Sequence, residues 1–367
     1  MEWVRGEVVG RGSFSTVNLA AVRRKHEDPP ELMAVKSSLL SESSMLIREK
    51  EILDELAGCP EIVLCRGDEV TVESDGRRLY NLFLEYVAGG PLSELCRGRA
   101  MAAHDVRRYA RSILRGLRRV HCAGYVHCDV KPENVLVAGA GAAKIADFGL
   151  AKRAGEAASG GGGQLRGTPL YMAPEAVARG EQEPPSDIWS FGCVVAEMAT
   201  GEPSRRRRAG EDPAALLFRI ISGWDRPEIP AELPEEGRDF VCRCFARDPR
   251  ERWTAEMLLR HPFLQFSTDG DGAASTTPSP RSVFGFPAWV SPASPRPSAG
   301  SSTSSPTPIE RLRRLSAGSP ESEWDASGDP SGHSAGGRWI TVRPLQHCNS
   351  SSIDRSWISP RFNQRII

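Results

Sequence analysis

The sequence predicts an α+β fold followed by a disordered tail, and three observations carry that prediction. Apolar runs of strand length, 33–36 (Met33-Ala34-Val35-Lys36) and 82–87 (Leu82-Phe83-Leu84-Glu85-Tyr86-Val87), lie early in the chain with one helical stripe between them. From Val106 onward, apolar residues recur at helical spacing. After His261-Pro262-Phe263-Leu264 the composition turns to Ser, Pro, Gly and Ala, and residues 265–367 hold no Lys, ten Arg and eight acidic residues. That segment has too little contiguous apolar surface to offset the entropy of ordering it.

The elements follow in order. Val8-Val9 leads into Gly10-Arg11-Gly12-Ser13-Phe14-Ser15-Thr16-Val17. Two glycines there let the backbone approach a phosphate without a Cβ in the way. The insertion 26–30 falls in the connection to the strand that carries Ala34 and Lys36, where extra length is tolerated. In 47–56 the apolar residues Ile52, Leu53 and Leu56 mark a helix face. Glu49, three before Ile52 and four before Leu53, faces inward with them and suits an ion pair with Lys36; Glu51 is the rival and reads better as a solvated charge. The strand 82–87 then runs into Ala88-Gly89-Gly90-Pro91, a hinge. In 106–121 the apolar positions 106, 109, 110, 113, 114, 117 and 120 form a continuous buried stripe.

His127-Cys128-Asp129-Val130-Lys131-Pro132-Glu133-Asn134 follows that helix, and Asp147-Phe148-Gly149 begins thirteen residues after the Asn. Phosphoryl transfer needs a carboxylate to receive a hydroxyl proton, a cation near the moving phosphate and metal ligands on neighbouring elements. Asp129 suits the first role, Lys131 the second, and Asn134 with Asp147 the third. Beyond them, Glu175 in Tyr171-Met172-Ala173-Pro174-Glu175 is expected to pair with Arg252, and Asp187 to accept backbone N–H groups of the catalytic loop. Arg205-Arg206-Arg207-Arg208 reads as a solvated loop, with docking of acidic substrates as the alternative.

The chain has 367 residues and a formal net charge of zero, which gives no general pull toward nucleic acid or an acidic membrane. The charged first residues do not resemble a signal peptide, and no apolar run approaches a membrane span. Nine scattered cysteines, an odd number, form neither a disulfide framework nor a zinc spacing. Reduced thiols in a cytoplasmic or nuclear protein are expected.

Over residues 3–264 these motifs resemble the eukaryotic protein kinases, of Ser/Thr type because Lys131 stands two after Asp129 and Gly167-Thr168-Pro169 precedes the A-P-E turn. The resemblance implies two lobes: a small antiparallel sheet with one helix (3–87) over a larger, mainly helical lobe (88–264), with 265–367 a Ser/Pro-rich regulatory tail. It implies ATP and Mg²⁺, with the nucleotide between Val9, Gly10, Arg11, Gly12, Ser13, Val17, Ala34, Lys36 and Glu49 and the hinge backbone of Glu85 and Val87, Leu84 gating the pocket behind. Gly167 through Glu175, with Trp3-Val4-Arg5-Gly6 and Arg252-Trp253-Thr254, is similar to plant MEKK-type MAP kinase kinase kinases, whose substrates are MAP kinase kinases. A Ser/Thr kinase of another branch with tail-determined substrates is the alternative, and a pseudokinase scaffold is the reading from another class, which Lys36, Glu49, Asp129, Asn134 and Asp147 together oppose. Eight Ser-Pro or Thr-Pro steps between Thr277 and Ser359 offer feedback sites to a proline-directed kinase.

One departure stands out. Cys128 occupies the place where most regulated kinases carry the arginine that clamps an activation-segment phosphate. A small buried thiol fits better there than a redox switch. The activation segment also passes through Ser159 and four glycines, 160–163, expected to be mobile. Strict switching by phosphorylation is therefore not expected.

Overall fold

The computed structural model describes residues 2–12, 15–23, 31–139, 141–156, 165–206, 210–222, 226–265 and 340–341. Five strands, β1 (Glu2–Arg11), β2 (Thr16–Arg23), β3 (Glu31–Leu39), β4 (Cys65–Val72) and β5 (Arg78–Glu85), build an antiparallel sheet, with α1 (Ser44–Glu55) between β3 and β4. The second lobe carries α2 (Leu92–Cys96), α3 (Ala103–Cys122), the short strands β6 (Tyr125–Val126), β7 (Val135–Val137), β8 (Ala143–Ile145) and β9 (Lys152–Arg153), and then α4 (Pro174–Arg179), α5 (Pro184–Thr200), α6 (Pro213–Ser222), α7 (Glu235–Cys244) and α8 (Ala255–Leu259). This is the two-lobed α+β architecture anticipated above.

Register decides which side chains meet. Val17 lies opposite Lys36 and Lys36 opposite Leu82, while Ala34 lies opposite Leu84. Cross-strand partners share a face, so these residues look toward α1 and the main core. Met33, Val35 and Phe83 alternate to the other face, where they bury with Trp3, Ala20 and Val22. Beside that small core sits a polar cluster with no sequence signal. Arg5 donates to Ser37 Oγ (2.9 Å), Asn81 Oδ1 (3.0 Å) and Glu73 Oε1 (3.2 Å), and Asn81 donates to Thr71 Oγ1 at 2.9 Å.

In the second lobe, all seven apolar positions expected on α3 are buried. Helix α5 is apolar on nearly every face and runs through the centre of the lobe, starting at a proline whose missing N–H costs nothing at a first turn. Glu175 and Arg252 form the expected bridge at 2.6 and 3.1 Å, both buried, with Arg252 also over the Trp189 ring. The arginine run is a correction. Arg205 is neither solvated nor a docking charge: it is buried, donates to the carbonyls of Leu170 (3.2 Å) and Met172 (2.7 Å), and stacks on Trp189. Arg206 is exposed and 3.9 Å from Glu202, and 207–208 lie outside the described residues.

Of the tail beyond residue 265, only Ile340–Thr341 is described. It forms β10, pairing antiparallel with β1 (Val4 opposite Thr341, Arg5 opposite Ile340), so the sheet order is β10-β1-β2-β3-β5-β4. The expected disorder gives way there to a strand, because β1 presents an edge with open hydrogen-bonding groups. The insertion 26–30 and the proline-directed sites lie outside the described residues. Among the described residues, no helix is long and apolar enough to cross a membrane.

Candidate active site

The site lies where the sheet's α1 face meets the loops after α3. Lys36 on β3 donates to Glu49 Oε2 at 2.6 Å and to Asp147 Oδ1 at 2.9 Å. Glu49 is fully buried, and its other oxygen accepts the Phe148 N–H at 3.1 Å. Glu51, the rival, is exposed. Burial would push the Lys36 ammonium down, but Glu49 and Asp147 outweigh it and hold the amine above the ordinary lysine range. Burial would likewise raise Asp147, and Lys36 holds it below the usual carboxylate range instead. Asp147 is closely surrounded by protein yet keeps about half of its side chain open to solvent, 49%.

The catalytic loop is held from behind. Asp187, in the first turn of α5, accepts the N–H groups of His127 (2.8 Å) and Cys128 (2.9 Å) and touches His121 Nε2 at 2.9 Å. Burial would raise its carboxyl, but His121 and the loop donors keep it depressed. His127 packs edge-on against Phe148, accepts the Asp129 N–H on Nδ1 at 3.2 Å and meets the Ala146 carbonyl through Nε2 at 3.1 Å, the nitrogen that donates. Cys128 (φ 68°) and Asp147 (φ 62°) both adopt left-handed backbone that L-residues avoid. Such strain persists only where its surroundings impose it. Two α5-bound N–H groups supply that force at Cys128.

Around Asp129, both carboxylate oxygens are held, with acceptor capacity left on Oδ1. Asn134 Nδ2 donates to its carbonyl (2.9 Å) and to Oδ2 (3.0 Å), Lys131 Nζ lies 2.8 Å from Oδ2, and Thr168 Oγ1 donates to Oδ1 at 2.8 Å while accepting from Lys131 at 2.9 Å. Thr168 gets there because Gly167, at φ 108°, lies against the Cys128 carbonyl where any Cβ would collide. Asn134 spends its amide nitrogen on Asp129, which leaves its amide oxygen available to ligate a cation. One amide oxygen and one ionised carboxylate, Asp147, would fit Mg²⁺, which accepts so sparse a set of hard oxygen ligands when phosphates and water complete its shell.

Val9, Gly10 and Arg11 end β1, with Gly10 opposite Val17 and Arg11 opposite Thr16, and Gly12 donates to the Ser15 carbonyl at 2.8 Å to close the turn. Ala34 is half-buried on the Lys36 face. Glu85 ends β5, its carboxylate accepting from Leu64 N–H and Lys144 Nζ, both at 2.7 Å, and Val87 follows in the hinge, its carbonyl accepting the Gly90 N–H at 3.2 Å. Leu84 is buried behind. Ser13 and Ser159 lie outside the described residues.

Cys128 is buried, its thiol 3.6 Å from the Val126 carbonyl. Burial and Asp187 push the thiol well above its ordinary pKa, so the thiolate a redox switch needs is disfavoured. Sequence reasoning missed Lys152, Arg166, Gln182 and Glu183, which bond residues 150–156 and Arg166 to the turn before α5. The available signal was a lysine five residues after Asp147 with no arginine at 128 to share its load.

A fold of two lobes with a carboxylate, a paired lysine and a D-F-G turn in the cleft defines a phosphotransferase. The family model for the protein kinase domain matches residues 3–264, and the chain belongs to the protein kinase family. It is 41% identical to Mitogen-activated protein kinase kinase kinase 20 of Arabidopsis thaliana over 358 residues, covering 94% of this chain and 100% of that one. Mitogen-activated protein kinase kinase kinase 17 of the same plant is 43% identical over 273 residues, 73% and 71% of the two chains. Mitogen-activated protein kinase kinase kinase A of Dictyostelium discoideum is 32% identical over 287 residues, 76% of this chain and 29% of its own.

Proposed function

We propose that this protein serine/threonine kinase transfers the γ-phosphate of ATP to hydroxyl groups of MAP kinase kinases. The carrying observation is the Asp129 carboxylate, held by Asn134, Lys131 and Thr168 beside the Lys36–Glu49–Asp147 chain. Asp129 orients the acceptor hydroxyl and takes its proton as the O–P bond forms. Lys131 neutralises charge on the transferred group, and Lys36, fixed by Glu49, steadies the phosphates at the other end. Val9, Gly10, Arg11, Gly12, Ser13 and Val17 cover the nucleotide, Ala34 lines its base, and the backbone of Glu85 and Val87 receives the adenine edge. Asn134 and Asp147 are the groups to hold Mg²⁺, which when bound offsets the negative charge of the phosphates.

Support for the cascade level comes from relatives whose names place them there and from the Gly167–Glu175 motif. The test is phosphorylation of a panel of catalytically inactive MAP kinase kinases by the purified chain, with the sites mapped. Efficient labelling of a generic Ser/Thr substrate with none of the panel labelled would leave the kinase and remove this substrate class. The cytoplasm or nucleus is the compartment proposed, on the free thiols of the eight described cysteines.

Two further outcomes are expected. Thr168→Ala removes the hydroxyl that bridges Asp129 and Lys131 and should lower kcat by more than about tenfold, since small misplacements of a reacting group are costly. Ser159→Ala should change little, and a collapse of its activity matched by phosphatase-treated wild type would show that Ser159 carries the switch. A chain ended near residue 266 should keep near-normal specific activity on a short peptide, with 3–264 as catalytic domain and the tail as a substrate for proline-directed feedback. A folded but inactive truncated chain would place the tail inside the catalytic unit.

A further inference from the structure

We infer that Glu183 is a positioning residue whose carboxylate holds the activation segment in the place of a phosphate. Lys152, on β9 just after the D-F-G turn, has a buried side chain, and its ammonium donates to Glu183 Oε1 at 2.9 Å and to the carbonyls of Glu156 (3.2 Å) and Arg153 (3.3 Å). Glu183 is the carboxylate it contacts. Both oxygens of Glu183 also accept the Gly155 N–H, at 3.1 and 2.9 Å. An ammonium and a backbone N–H converging on one anion are the donors an activation-segment phosphate recruits.

The neighbouring residue holds the far end of the segment. Gln182, buried, accepts the Arg166 N–H at 3.2 Å and donates to the Arg166 carbonyl at 2.6 Å, while the Arg166 guanidinium reaches the carbonyls of Leu150 and Ala151 at 3.4 Å. Residues 150–156 and Arg166 are thus tied to one short turn before α5. Four residues after Glu183, Asp187 grips the N–H groups of His127 and Cys128. The start of α5 therefore connects the activation segment to the loop that carries Asp129. With a cysteine at 128, no side chain there can reach a phosphate, and the anchoring anion is carried by the chain itself.

The experiment uses the full chain and a generic Ser/Thr peptide, so that its result does not depend on the MAP kinase kinase assignment. Phosphatase-treated wild type should keep at least about half of its activity. Glu183→Gln should lower kcat/KM roughly tenfold, by raising KM for the peptide while KM for ATP stays constant. Exchange of the Gly155 amide should quicken in that variant, and Glu183→Asp, which keeps the charge, should recover most of the loss. A Lys152→Met, Glu183→Gln double variant should be no worse than either single one, since the two residues act as a unit. If Glu183→Gln fails to fold, Glu183→Asp and Gly155 exchange in wild type before and after phosphatase decide the question. Unchanged kinetics and exchange in Glu183→Gln, or collapse of the dephosphorylated wild type to the Glu183→Gln level, overturns the inference.

Discussion

Asp129→Asn should lower kcat by at least about a hundredfold while nucleotide binding stays close to wild type, because a positioned base is worth roughly 10²–10⁴-fold. The substitution keeps the side chain's shape but removes the charge that Lys131 opposes at 2.8 Å and the oxygen that accepts from Thr168. The groups proposed to hold nucleotide, Lys36 and Asp147, form a separate cluster with their own ion pair. Single-turnover rates and calorimetric titration with nucleotide separate the two effects. If the variant keeps more than about a third of the wild-type kcat, Asp129 is not the base, since even the low end of the range demands more.

Lys36→Met should lower kcat/KM by about a hundredfold or more, as expected when a cation aimed at phosphate charge is lost. It should also soften the small lobe. Glu49 is fully buried, and removing one partner of a buried ion pair costs about 3–5 kcal/mol because the other charge is left uncompensated. The carboxyl can escape that penalty by taking up a proton, so the lost stability should partly return below neutral pH. Adding Glu49→Gln should restore much of the melting temperature without restoring activity. A Lys36→Met chain with wild-type turnover would remove Lys36 from the phosphate site.

The legible parts of this molecule were those whose partners are set by local period or by a spaced motif. The stripe at 52, 53 and 56 put Glu49 inward, and the structure finds it bonded to Lys36. Asp187 and Glu175 were equally readable, because each stands among apolar residues, in 186–191 and 172–177, where only a partnered charge survives, whereas Arg252 was legible from its motif and not from its charged neighbours. Arg205 was not readable: four consecutive arginines look solvated, and burial of the first depends on where Trp189 and the Leu170 and Met172 carbonyls fall in three dimensions. Glu183 was hidden for a similar reason. Its partners Lys152 and Gly155 lie about thirty residues upstream, and nothing local distinguishes it from the acidic Glu181 nearby, which pairs with Arg179 at the surface.

The strand contributed by Ile340–Thr341 bears on how the protein behaves when its tail is cut. An uncovered outer strand is a template onto which another chain can add, and proteins guard such strands to stay monomeric. Here the guard is a stretch of the chain's own distal sequence laid along Val4 and Arg5. Cleavage before residue 340 should uncover Val4 and Arg5 on that edge, so a tail-clipped chain is expected to self-associate more in sedimentation while keeping its turnover. Self-association and turnover would then answer to different ends of the same polypeptide.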